Sequence, residues 1–169
     1  MKIECTTTAD IPVVEKIYAE ARAYQLQQTG HGWPVFSPSF IEKEIIEKRH
    51  FKVVDEEDRI AGVFSIVNAE PVIWGDAEGK EAIYLHRMAT LDKYRGKSIA
   101  KKIVEWAAIE AWESKKKFIR IDTWADNEAL TAYYQHLGFK FVKKTILPPE
   151  SDLPEHYYNI EVNLFEMKL

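Results

Sequence analysis

One cysteine, Cys5, is all that the 169 residues contain. No internal disulfide can form, and no cysteine-based zinc site can be assembled. Long apolar runs are missing too. No stretch reaches the roughly 20 residues that a membrane-spanning helix needs, and the opening MKIECTTTAD has no apolar core of the signal-peptide kind. The expectation is a cytoplasmic protein with no membrane partner. Surplus positive charge is the third absence: 23 Lys and Arg face 27 Asp and Glu, a formal charge of −4. A dedicated nucleic-acid binder needs clustered basic residues for its phosphate contacts, so no nucleic-acid partner is expected. The basic run Lys115, Lys116, Lys117, with Arg120 after it, reads as a solvated helix end favoured by the helix dipole. Internal repeats and low-complexity tracts are lacking as well.

What is present is ordinary globular material, 46% hydrophobic and 30% charged, in a length that suits one domain over residues 1–169. KIECT reads as a first strand. A helix from Asp10 to about Gln28 follows, capped by Thr8, with Ile11, Val14, Ile17, Ala21 and Tyr24 as its buried stripe. TGHGWPVFSP is loop, and Ser37 with Pro38 opens a second helix to about Arg49. FKVVD and IAGVFSIVN form a hairpin about the charged turn EEDR. The loop AEPVIWGDAEGK leads to the strand AIYLHRMAT, a helix from Ser98 to about Lys115, and the strand FIRIDTW. A helix over NEALTAYYQHL ends at Gly138. Two strands close the chain, the last with Tyr158, Ile160, Val162 and Leu164 alternating against polar residues. The order predicts an α/β (α+β) domain: a mixed, mostly antiparallel sheet of about seven strands with about four helices. Parallel pairing is expected across the strand–helix–strand step from Ile83 to Trp124.

YRGKSIAKKIVEWA, Tyr94 to Ala107, sets a glycine between cations where that helix begins. A helix N-terminus offers unpaired amides and the positive end of the dipole, which suits phosphate. A nucleotide P-loop requires a glycine five positions before Gly96, and Leu91 stands there. The stretch instead resembles the pyrophosphate-binding motif of the GCN5-related N-acetyltransferases, Q/R-x-x-G-x-G/A, with Arg95 in the first position, Ser98 at the first glycine and Ala100 at the last. YLHRMATLDKYRG resembles the strand that precedes this motif. NEALTAYYQHLGF resembles the family's asparagine, tyrosine and glycine-phenylalanine ending through Asn127, Tyr134, Gly138 and Phe139. GHGWP, LHRMAT and RIDTW are similar to a bacterial subgroup of small acetyltransferases without an assigned substrate.

The resemblance implies the family's fold and transfer of an acetyl group from acetyl-coenzyme A to an amine by direct attack, with no metal. It implies that the loop and first helical residues, Arg95, Gly96, Lys97, Ser98, Ile99 and Ala100, hold the diphosphate. Met88, Ala89 and Thr90 hold the pantetheine by backbone bonds, an amide near Met88 facing the acetyl oxygen. Ser98 replaces a glycine, and its hydroxyl is open to two roles, donor to phosphate or cap of the helix. Tyr134 is the expected general acid, because a phenol stays protonated when a thiolate leaves; Tyr133 beside it reads as the polar edge of a core helix. Asn127 caps its helix, holds coenzyme A, or does both.

His86 lies two residues before Met88 and therefore on the same strand face, where its neutral range suits a base, and Asp122 lies on the adjacent strand; each is open to a structural role. Glu70 and Asp76 are loop carboxylates. In this fold the acceptor sits against the first two helices and the last two strands. That region holds His31, Trp33, Phe36, Trp74, Trp124, Tyr157 and Tyr158, at least half of them expected in the core. Trp33, His86, Asp122 and Trp124 are the substrate candidates. A small-molecule amine is the first acceptor reading. The others are a protein N-terminus or lysine, and a coenzyme A sensor without transfer activity. The oligomeric state is not readable from the sequence; a homodimer is common in the resembled family, and an exposed final strand is a means of pairing open to this chain.

Overall fold

The structure, a computed structural model, describes residues 1–75, 81–149 and 157–169. Seven strands run β1 (Lys2–Cys5), β2 (His50–Val54), β3 (Ile60–Val67), β4 (Ala82–Thr90), β5 (Phe118–Trp124), β6 (Lys140–Ile146) and β7 (Glu161–Lys168). Their hydrogen-bonded order is β1-β2-β3-β4-β5-β7-β6. The pairs β1–β2, β2–β3, β5–β7 and β6–β7 are antiparallel, and β4–β5 is parallel. The helices are α1 (Ile11–Thr29), α2 (Pro38–Ile46), the single turn α3 (Pro71–Trp74), α4 (Ile99–Glu113) and α5 (Glu128–His136). The mixed, mostly antiparallel sheet read from the sequence is therefore present.

The chain divides into two compact units, Met1–Ile66 with His86–Trp106, and Val67–Leu85 with Ala107–Leu169. In the first, Val14 and Ile17 of α1, Ile41 of α2 and Val53, Val63 and Phe64 of the strands are fully buried. Phe51 and Phe64 stack at 5.4 Å, with the Trp106 ring at 4.7 and 5.2 Å from them. In the second, Ile73, Trp74, Ala82, Tyr84, Leu147, Val162 and Leu164 form one apolar cluster. The Arg120 guanidinium lies over Trp74 at 4.4 Å, donates to the Tyr84 hydroxyl at 3.0 Å and pairs with Glu166 at 2.7 Å. That arrangement lets a cation 7% exposed sit in a core.

Several boundaries differ from the sequence reading, each for a local reason. Thr7, not Thr8, starts the first helical segment: its amide and hydroxyl both donate to Asp10 at 2.8 Å, and a short 3-10 turn precedes α1. The second helix stops at Ile46 rather than Arg49. Lys48 takes φ 56, and the Arg49 and Lys48 amides return to the Glu44 and Ile45 carbonyls, a Schellman ending with lysine in the position glycine prefers. α4 ends the same way. Lys115 has φ 57, and the Lys116 amide returns to Ala111, so the helix closes at Glu113, two residues before Lys115. The predicted loop around Trp74 contains α3. In β7, Val162, Asn163, Leu164 and Phe165 are all buried, because Val162 and Leu164 enter the Trp74 cluster on one face while Asn163 and Phe165 meet Thr131 and Tyr134 of α5 on the other; the expected half-buried alternation does not hold, and β7, paired with β5 and β6, is not an open edge.

Candidate functional site

β4 carries the first part of the site. Its ladder with β5 is three pairs long, Ala82↔Phe118, Ile83↔Ile119 and Tyr84↔Arg120, while β4 itself continues to Thr90. In the extension, Arg87 takes φ 48, left-handed backbone that a side-chain-bearing residue adopts only when its surroundings enforce it. Here they do. The Arg87 guanidinium pairs with buried Glu44 of α2, donates to Ser65 Oγ at 2.6 Å, and lies over the Phe36 and Phe40 rings at 5.7 and 5.1 Å. Glu44, 1% exposed, also pairs with Arg49. The kink interrupts the pleat, so the alternation that would place His86 and Met88 on one face does not run through it. His86 is buried within β4, Met88 and Thr90 are half-buried, and Ala89 is buried. Gly62 of β3 is required beside this segment: a Cβ there would meet the Ala89 carbonyl oxygen at 2.7 Å.

The loop before α4 is the second part. Asp92–Tyr94 makes a 3-10 turn, Gly96 follows at φ 74, and Ser98 stands at φ 58. A Cβ on Gly96 would meet nothing within 4 Å, so its glycine answers to backbone angle and not to space. Ser98 adopts the left-handed backbone that the matching glycine of the resembled motif would take without cost. An N-cap side chain normally works from extended backbone, which argues against the capping role for its hydroxyl. Its carbonyl accepts from Lys102 at 3.2 Å, which leaves the Ile99, Ala100 and Lys101 amides in the helix's first turn, where no intrahelical acceptor exists. Arg95, Gly96, Lys97 and Ser98 are exposed, whereas the Ile99 side chain is buried. Arg95 lies over the Tyr24 ring at 3.9 Å and pairs with Asp92 at 2.6 Å. An exposed loop with Arg95 and Lys97, leading into first-turn amides that have no intrahelical acceptor, fits a diphosphate.

α5, within the second unit, carries the expected general acid. Asn127 Oδ1 accepts from the Leu130 amide at 2.9 Å, so this residue caps the helix. At the other end Gly138 has φ 101, and the Gly138 and Phe139 amides return to the Gln135 and Tyr134 carbonyls. This Schellman motif puts the Phe139 ring 6.0 Å from that of Tyr134, the apolar contact that accompanies such endings. The glycine and phenylalanine thus hold Tyr134 in place. Tyr134 is 9% exposed, with Phe165 at 6.2 Å. Burial first, then the charge of Asp122 on β5, pushes its phenol well above the usual range, so it holds its proton. Tyr133, by contrast, is 40% exposed, at the outer edge of the helix.

The remaining aromatic candidates divide. Phe36 and Trp74 are core residues. Trp33 is half-buried against Tyr18 and Phe36, both at 6.1 Å, with its carbonyl accepting from Arg22 at 2.8 Å and its amide donating to Gln25 at 2.9 Å. Trp124 and Tyr157 pack on the apolar cluster of the second unit. Glu70 stands at the start of α3, and Asp76 lies outside the described residues. Sequence reasoning missed the carboxylates Glu44 and Asp55 and the phenol of Tyr94. Tyr94 and Asp55 are 39 positions apart, and no periodicity links them.

Among the described residues, no helix is long and apolar enough to cross a membrane. A model of the acetyltransferase (GNAT) family matches residues 18–139. The uncharacterized N-acetyltransferase YesJ of Bacillus subtilis (strain 168) is 32% identical over 101 residues, which take in 57% of this chain and only 56% of that relative. A GNAT-family acetyltransferase of Listeria monocytogenes 4b F2365 has a similar crystal structure, with TM-score 0.74 and 21% identity over 99% of this chain and 94% of that one. The acetyltransferase-like yncA of Salmonella typhimurium, whose structure holds acetyl-CoA, superposes with TM-score 0.68 at 14% identity, covering 100% of this chain and 94% of that one. With 122 of its residues inside the family match, the chain belongs to the acetyltransferase (GNAT) family.

Proposed function

We propose that this protein transfers an acetyl group from acetyl-coenzyme A to the primary amine of a small molecule, by direct attack of the neutral amine on the thioester. The observation that carries the reading is the loop at the start of α4, left-handed at Gly96 and Ser98, exposed, and followed by amides without helical partners. When bound, acetyl-coenzyme A supplies an activated acyl carbon and a thiolate leaving group. The chain's own residues bind, orient and move protons.

The Gly96, Ser98, Ile99 and Ala100 amides take the diphosphate, while the Lys97 amide closes the turn onto the Tyr94 carbonyl at 3.2 Å and the Lys97 and Arg95 side chains add charge. The backbone of Met88, Ala89 and Thr90 takes the pantetheine in the manner of an added strand, which the three-pair β4–β5 ladder supports. The kink at Arg87 re-aims the Met88 amide toward the acetyl oxygen, a fixed donor set where negative charge develops. As the C–N bond forms and the C–S bond breaks, Tyr134 donates its proton to the departing thiolate, and the proton shed by the attacking nitrogen passes to water, from which the phenolate is reprotonated. The raised pKa of Tyr134 keeps its proton available throughout the neutral range. Asn127 serves this role through α5, which it caps. Trp33, Asp122 and Trp124 are the acceptor-side candidates.

Thiol release from acetyl-coenzyme A with a panel of polyamines, amino acids, aminoglycosides and aryl amines tests the reaction. At least one amine should support turnover, and coenzyme A binding without turnover on any would favour a sensor. Tyr134→Phe is expected to lower kcat by about a hundred-fold, the smaller end of acid–base contributions, with coenzyme A affinity retained. Equal turnover in that variant would remove Tyr134 from the mechanism.

A further inference from the structure

Tyr94 stands immediately before the phosphate loop, yet its side chain points away from water. The residue is 4% exposed, and its hydroxyl donates to Asp55, in the turn between β2 and β3. Asp55 is a hub. Its Oδ1 accepts from the Glu57 and Arg59 amides at 2.9 and 3.0 Å, and its Oδ2 accepts from Arg59 Nε at 2.9 Å. The carboxylate therefore closes its own hairpin turn while gripping a residue from a different part of the chain.

The other end of Tyr94 faces the loop. Its amide donates to the Leu91 carbonyl at 2.8 Å, and its carbonyl accepts from the Lys97 amide at 3.2 Å, spanning the left-handed Gly96. The ammonium groups of Lys93 and Lys97 lie 4.9 and 5.0 Å from its ring centroid, within cation–π range. One side chain thus links a rigid hairpin to the backbone turn and to the lysine that flanks it.

We propose that Asp55 and Tyr94 are positioning residues for the cosubstrate's diphosphate. Asp55 fixes the phenol, and the phenol fixes both the turn at Gly96 and the approach of Lys97. This rests on the reading that the loop holds coenzyme A. The physical gain is preorganisation. A free lysine has many rotamers and loses them on binding phosphate, whereas one already resting on a ring loses fewer. A carboxylate near an anion site would ordinarily oppose binding, but the charge of Asp55 is balanced by Arg59. The contact also persists across neutral pH. The bond from Tyr94 comes first among the influences that hold the Asp55 carboxyl well below the usual range, and the same bond raises the Tyr94 phenol.

Calorimetric titration of coenzyme A, and separately of an acetyl-pantetheine thioester lacking the diphosphate, into wild type, Tyr94→Phe and Asp55→Asn tests this. Both variants should lose about ten-fold in coenzyme A affinity, the effect of one bond to a charged group, with the truncated thioester bound as by wild type. A variant that merely loosened the fold would weaken both ligands together, and that result overturns the proposal. So does unchanged coenzyme A affinity in the variants while wild type binds. If wild type itself takes up no coenzyme A, the loop reading fails and this inference with it. Tyr94→Phe keeps the ring and its packing, so the comparison stays readable even if Asp55→Asn does not fold.

Discussion

His50 is buried completely, its Nε2 3.0 Å from the Tyr18 hydroxyl and its Nδ1 2.8 Å from Thr6 Oγ1. Burial, and then the positive charges of Arg87 and Arg49, lower its pKa from 6.5 to about 4. Between those values the unfolded chain binds a proton that the folded chain refuses. Stability is therefore lost as pH falls from 6.5 toward 4, by up to about 3 kcal/mol from this group alone. Urea unfolding of wild type and His50→Gln at stepped pH values reads this. The stability difference between them should shrink as the solution is acidified through that window, and parallel curves would show that His50 does not titrate with folding. Little of this was legible in the sequence. His50 reads there as the residue before a strand, and its partners Thr6 and Tyr18 lie 44 and 32 positions away. The same distance hides Glu44, whose salt bridge to Arg87 spans 43 residues. Tyr134 was legible because its supports are local: Asn127 caps its helix, and Gly138 with Phe139 ends it.

At the scale of elements, strands announced themselves and helix ends did not. β4 and β5 have the bounds read from their apolar runs, because a run flanked by charge and glycine leaves little choice of register. α2 and α4 end on lysines in left-handed backbone, where the expected signal is glycine, so both ended short of the reading. The kink in β4 was equally silent. Arginine has no local preference for φ 48, and its partners enforce it. β3 and β4 also meet so closely at Gly62 that the position has no room to vary. Gly62→Ala must push the Ala89 carbonyl away or move Ile99, whose Cγ2 would lie at 3.1 Å. A loss of about 1–3 kcal/mol is expected from such overpacking, measured by chemical denaturation, together with weaker coenzyme A binding because Ala89 belongs to the pantetheine edge. An alanine variant as stable as wild type would mean that β3 yields instead.

For the whole molecule, the order of elements carried more information than any single motif. Among the described residues, the seven strands and the helices between them follow the predicted sequence of types except for the single turn α3, which stands in a predicted loop, and the parallel step falls where the strand–helix–strand unit placed it. The division into two units was not visible, since it cuts through β4 after Leu85 and through α4 after Trp106, inside elements that no linker or composition change interrupts. Everything proposed for the chemistry depends on amides at the front of α4 receiving a diphosphate. The direct measurement is a titration of coenzyme A into uniformly 15N-labelled protein, followed through backbone amide shifts. The account predicts large, saturable shifts at Gly96, Lys97, Ser98, Ile99 and Ala100. Saturation with those five amides unmoved, or no response to coenzyme A at all, would contradict it.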